Sequence, residues 1–136
     1  MEKRYSLYLF TLKFLLFSNL AIAQNQPDDL VKEFFTTYQK SPDIALEKMF
    51  NTNQWMLNNQ DGLKNLKNQL NNTLQLVGDY KGFEKISEVK KGQSIIELTY
   101  FVKYERQPLR FVFLYYKPID QWRINNFFFD DKLFDN

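Results

Sequence analysis

The chain has 136 residues, 18 of them Lys or Arg and 16 Asp or Glu, and it contains neither His nor Cys. Those absences exclude Ser-His-Asp and Cys-His triads, zinc sites built on His or Cys, and disulfide or thiol chemistry within the chain. Aromatic residues make up 18%, with 14 Phe and 8 Tyr, so stability is expected to come from a ring-rich core.

At the N-terminus, Lys3 and Arg4 precede an apolar stretch that begins at Leu7, runs to Ile22 and ends in Ala21-Ile22-Ala23. This is the layout of a cleavable secretory signal, with small residues at −3 and −1 of a cut before Gln24. Lys13, Ser18 and Asn19 interrupt the run, whereas a spanning helix needs roughly 20 apolar residues. The expectation is a removed segment over residues 1–23 and a single secreted or periplasmic domain over residues 24–136, with no stable membrane anchor. Loss of Lys3, Arg4, Lys13 and Glu2 leaves acidic and basic residues equal in number. The mature chain then lacks the basic footprint of a nucleic-acid binder, and no nucleic-acid partner is expected.

Beyond a short polar leader, Asp28 or Asp29 is placed to cap a helix on which Leu30, Val31, Phe34, Phe35 and Tyr38 recur at helical spacing. Ser41-Pro42-Asp43 starts a second, short helix with a stripe of Ile44, Ala45, Met49 and Phe50. Residues 51–60 are Asn/Gln-rich around Trp55, Met56 and Leu57 and read as a loop or a turn of helix. Asp61 then opens a longer helix whose stripe is Leu63, Leu66, Leu70, Leu74 and Val77, and Gly78 ends it. Asn71-Asn72-Thr73 matches a glycosylation sequon but falls mid-helix.

From Tyr80 onward the period is two. Strands are predicted over residues 83–89, 94–106, 109–117 and 121–130, turning at Lys91-Gly92, Gln107-Pro108 and Pro118-Ile119-Asp120. Tight turns pair Tyr104 with Leu109 and Tyr115 with Trp122. One face then carries Ile96, Leu98, Tyr100, Val102, Tyr104, Leu109, Phe111, Phe113, Tyr115, Trp122, Ile124 and Phe128, and the helical stripes are available to cover it. The opposite face mixes Glu97, Lys103, Arg110 and Arg123 with Phe101, Val112, Leu114, Phe127 and Phe129. These five apolar residues are candidates for a homodimer or partner-protein interface, or for burial behind the tail of a strongly curved sheet. The fold class is α+β, with N-terminal helices on a curved antiparallel sheet of about four strands.

Residues 66–86, LKNQLNNTLQLVGDYKGFEKI, and the ending Trp122-Arg123-Ile124-Asn125-Asn126-Phe127-Phe128-Phe129 resemble a secreted bacterial family of the NTF2-like (cystatin-like) superfamily whose function is not assigned. Gly78-Asp79-Tyr80 and Trp122-Arg123-Ile124 are the matching positions, and the resemblance spans residues 30–129. It implies a cone-shaped fold and supplies no catalytic residues. A cone leaves a cavity between helices and sheet. Tyr100, Tyr104, Tyr115 and Trp122 are candidates to line it around a small apolar ligand, with Tyr38 and Trp55 at its mouth, unless they are simply core. The function expected is non-catalytic binding, without cofactor or metal. The alternative is a cone-fold isomerase or dehydratase using an Asp/Tyr pair, for which Asp79 and Asp130 are the available acids.

Overall fold

A computed structural model describes residues 25–134, so residues 1–23, expected to be a removed signal, lie outside the described residues. The order is α1 (Pro27–Tyr38), α2 (Pro42–Phe50), α3 (Gln54–Leu57), α4 (Gln60–Val77), β1 (Tyr80–Lys91), β2 (Ile95–Tyr104), β3 (Leu109–Tyr116) and β4 (Arg123–Asp130). The strands form one antiparallel meander in the order β1-β2-β3-β4. This is an α+β fold with the helices packed on a curved sheet, an architecture consistent with an NTF2-like cone. Among the described residues, no helix is long and apolar enough to cross a membrane.

The helices begin where side chains can satisfy their free N–H groups. Pro27 is the first residue of α1. Its cap is Gln26 rather than an aspartate, and Gln26 donates its backbone N–H to Asp29 Oδ2 at 3.4 Å. Ser41 caps α2 by accepting from the Ile44 N–H. Asn59 caps α4 by accepting from the Gly62 N–H at 3.0 Å, which leaves Asp61 in the first turn, near the positive end of the dipole. Gly78 ends α4 at φ +85°. A Cβ there would lie 3.1 Å from Glu105 Cβ, so both conformation and space favour glycine. The Arg106 guanidinium closes the same end by donating to the Gln75 and Leu76 carbonyls.

The expected inner face of β2 and β3 is buried throughout. Phe35 of α1 stacks on Phe83 of β1 with centroids 4.1 Å apart. Phe34 meets Phe113 edge-on, and Tyr38 meets Phe111 edge-on. On α2 the buried stripe is Ala45, Leu46, Met49 and Phe50. Leu46 is fully buried, whereas Ile44, expected inside, is 48% exposed. The reason is that α2 packs against both α1 and α4 and turns its 45–46–49–50 face inward.

Two registers differ from the tight-turn expectation. Val102, not Tyr104, lies opposite Leu109, a slip of two residues that leaves every side chain on its expected face. Between β3 and β4 the change is consequential. Tyr115 pairs with Ile124 and Leu114 with Asn126, so Asn125 is an extra residue, a β-bulge. Beyond it the alternation inverts. Phe127 and Phe129, expected on the outer face, turn inward: Phe127 is 6% exposed among Phe34, Phe111 and Phe113, and Phe129 packs beside Phe111. Phe128, expected inside opposite Leu109, takes the outer position opposite Val112 and is 41% exposed, while Val112, expected at an interface, is itself buried.

Candidate binding cleft

At one end of the sheet, three segments converge on a cleft of about 780 Å³. Asn25 and Leu30 come from the start of α1. Asn51, Thr52, Gln54 and Trp55 come from the α2–α3 junction, and residues 118–123 form the loop into β4. Local chemistry fixes the walls. Thr52 Oγ1 accepts from the Ile124 N–H at 3.0 Å while donating to the Met49 carbonyl. Asn53, buried, donates from Nδ2 to the Ile124 carbonyl at 2.7 Å, and its Oδ1 accepts from the Trp55 N–H at 3.1 Å. Both backbone groups of Ile124 on the edge strand are therefore satisfied from the helical layer, and the turn carrying Trp55 is tied to the strand that follows Trp122.

The polar atoms inside this frame are not all used. Trp122 Nε1 and Arg123 Nε are buried and make no hydrogen bond. Lys117 Nζ sits 4.9 Å above the Trp122 ring, and the Arg123 guanidinium lies over Tyr116. The cleft rim exposes apolar surface: Trp55 is 78% and Ile119 87% exposed. The chain has two tryptophans, and both line this cleft.

Of the six side chains expected to line a cavity, the structure brings Trp55 and Trp122 together here and packs the four tyrosines into the core. The Tyr38 and Tyr104 hydroxyls hydrogen-bond each other. Burial raises both pKa values far above the ordinary tyrosine range, so both groups stay neutral. Tyr115 is fully buried and is likewise pushed up by burial.

Tyr100 donates to Asp28 Oδ1 at 3.1 Å, within a rim cluster that sequence reading missed. There Lys85 Nζ lies 2.8 Å from Asp28 Oδ1 and 3.3 Å from Glu88 Oε2. Helix and strand periodicity cannot register a contact between residues so far apart in the chain. This Asp/Tyr pair is not tuned for general-base work. Burial acts to raise the Asp28 pKa, but hydrogen bonds from Lys85 and Tyr100 outweigh it and hold the carboxyl below its usual range. Of the two acids expected for an enzyme, Asp79 is exposed. Asp130 is held in a two-pronged ion pair by Arg110, which lowers its pKa.

The cleft's other polar residues, Asn51, Gln54, Asp120 and Gln121, were not singled out from sequence. The available signal was amide-rich composition around Trp55.

No protein-family model matches the chain, and searches of curated proteins and of solved structures return no significant match.

Proposed function

We propose that the chain is an exported, non-catalytic binding domain whose ligand seat is the cleft between the α2–α3 junction and the loop into β4. One observation carries this reading. Both tryptophans and two unpaired buried donors share one concave site on a rigid frame, while the Tyr38–Tyr104 and Tyr100–Asp28 hydroxyl contacts are satisfied within the protein. The test is a fragment screen read on the two indole N–H resonances of 15N-labelled protein. Fragments that bind should shift both indoles; a hit set that moves neither removes the reading. The export part is tested by N-terminal sequencing of the protein recovered outside the cytoplasm, which should begin at Gln24.

A second reading, homodimerisation through the outer sheet face, is supported by exposed Phe128 beside Val112, with Phe101 and Leu114 half-buried on the same face. That face carries both signs of charge, Glu97 with Lys103 and Arg123, and so does not repel a second copy through a single-sign field. Light scattering after size exclusion should give twice the monomer mass for the native chain and the monomer mass for Phe128→Asp. A native monomer ends this reading.

A further inference from the structure

The chemistry of the cleft narrows the class of ligand, resting on the binding reading above: we infer that the cleft recognises a neutral carbohydrate, a short oligosaccharide or a stretch of polysaccharide.

The indole of Trp55 is the first element. A large ring left mostly in water has no packing role to explain it, and here it is not on a loose loop. Asn53 fixes the one-turn helix beneath it through hydrogen bonds to the Trp55 N–H and the Ile124 carbonyl. A flat apolar platform held in place suits a ligand with a flat apolar face, and the C–H face of a pyranose ring is such a surface. Trp ordered in this way presents contact area at little further entropic cost.

The second element is the polar lining. Asn25, Asn51, Gln54 and Gln121 carry amides, each able both to donate and to accept, while the Thr52 hydroxyl beside them is already committed to Met49 and Ile124. Sugar hydroxyls have the same dual capacity. The charged side chains lining the cleft, Asp120 and Arg123, are opposite in sign, and Lys117 adds a single cation over the Trp122 wall, short of the clustered positive charge that holds a phosphate or a polyanion.

The third element is the pair of unpaired donors. Trp122 is nine-tenths buried, and its Nε1 together with Arg123 Nε lacks an acceptor. Leaving two donors buried and unsatisfied costs free energy; both atoms are closed to solvent behind the cleft wall, so a ligand supplying acceptors recovers that cost where its seating turns these side chains toward it. Hydroxyl and ring oxygens are such acceptors. The two indoles therefore play different parts: Trp55 is a stacking platform at the rim, and Trp122 is a donor in the wall. The cleft's volume suits a ligand larger than a single small molecule fragment.

The experiment titrates the full secreted chain with neutral hexasaccharides (cello-, xylo-, malto- and chito-oligomers) and with polygalacturonate as an anionic arm, following tryptophan emission and heat. At least one neutral oligomer should bind with a Kd between about 1 μM and 1 mM, the range open to a small wet interface. Trp55→Ala should weaken that binding at least tenfold, and Trp122→Phe, which keeps an aromatic ring but loses the indole N–H and its five-membered ring, several-fold. Because Trp55 is exposed, its variant remains folded, and circular dichroism confirms this. Binding of polygalacturonate alone, no neutral oligomer bound at about 10 mM, or binding indifferent to Trp55→Ala each overturns the carbohydrate assignment. If sugars fail while fragments still shift the indoles, the ligand class is wrong and the cleft survives; if both fail, the binding reading falls too.

Discussion

The ring cluster under α1 and the cleft at the β4 end are built from the same kinds of residue and reach opposite states. In the core, Phe34, Phe35, Phe111 and Phe113 touch one another within 5.2–6.5 Å, and the hydroxyls of Tyr38, Tyr100 and Tyr104 all have protein partners. In the cleft, Trp55 is mostly in water, and Trp122 and Arg123 keep buried donors without acceptors. Packed rings with satisfied hydroxyls stabilise the fold, whereas the unpaired donors of the cleft are what the proposed ligand would complete. The two regions should therefore respond differently to the same kind of mutation.

The largest contrast lies on either side of one peptide bond. Phe127→Asp buries a carboxylate among three Phe rings and should cost more than about 4 kcal/mol, enough to unfold a domain of this size. Phe128→Asp places the same charge on the half-exposed outer face and should cost about 1 kcal/mol or less. Urea titration decides it. Equal costs would mean that the bulge at Asn125 does not set the faces as described.

Next comes truncation in each region. Phe113→Ala removes a fully buried ring in contact with Phe34, Phe35, Tyr100 and Phe127, and should cost about 3–5 kcal/mol. Trp55→Ala should change stability by no more than ~0.5 kcal/mol. A strongly destabilised Trp55 variant would show that the exposed ring supports the fold rather than awaiting a partner.

A subtler comparison concerns hydrogen bonding. Tyr38→Phe strands the buried Tyr104 hydroxyl and should cost about 1–3 kcal/mol. The double change Tyr38→Phe/Tyr104→Phe removes both polar groups and should cost less than the sum of the singles. Simple additivity in the double-mutant cycle would show that the pair is not coupled.

How far these features could be read in the sequence follows from their range. The buried faces of β2 and β3 were legible because alternation is local, and because a register slip of two leaves the faces unchanged. The stripes of α1 and α4 were legible for the same reason. Phe127 and Phe129 were misplaced because Asn125 is extra only relative to β3, and no local pattern marks it. The bulge follows directly on Ile124, whose backbone is held by Thr52 and Asn53, residues more than seventy positions away. The Asn/Gln-rich stretch around Trp55 read as a loop or a turn of helix, and the turn is α3; without apolar periodicity nothing showed that its amides and hydroxyl anchor the cleft. The Asp28–Lys85–Tyr100 cluster was invisible for a similar reason, since it joins a helix start to an edge strand.

The smallest effect sharpens the comparison from the side of charge. Arg110 and Arg123 both rise from the outer face, but Arg110 grips Asp130 with Nε at 2.9 Å and Nη2 at 2.6 Å, whereas Arg123 Nε has no acceptor. The Arg110 hydrogen bonds hold the Asp130 carboxyl below its ordinary value, with burial opposing. A group whose pKa is lower in the folded state adds stability above its unfolded value, near 3.8, and loses it as pH falls through the folded value. The pair is partly exposed, so Asp130→Asn should cost about 0.5–1 kcal/mol at neutral pH, and the gap from the native chain should close as pH falls below about 4. Urea midpoints across that range measure it, and a gap that persists in acid would assign the effect to packing. Arg123→Met removes both the unpaired Nε donor and the guanidinium stacked over Tyr116, two effects of opposite sign, so it should change stability by no more than ~0.5 kcal/mol while weakening binding in the cleft. A change that loosens binding while the urea midpoint stays near the native value would assign the Arg123 donor to the ligand rather than to the fold.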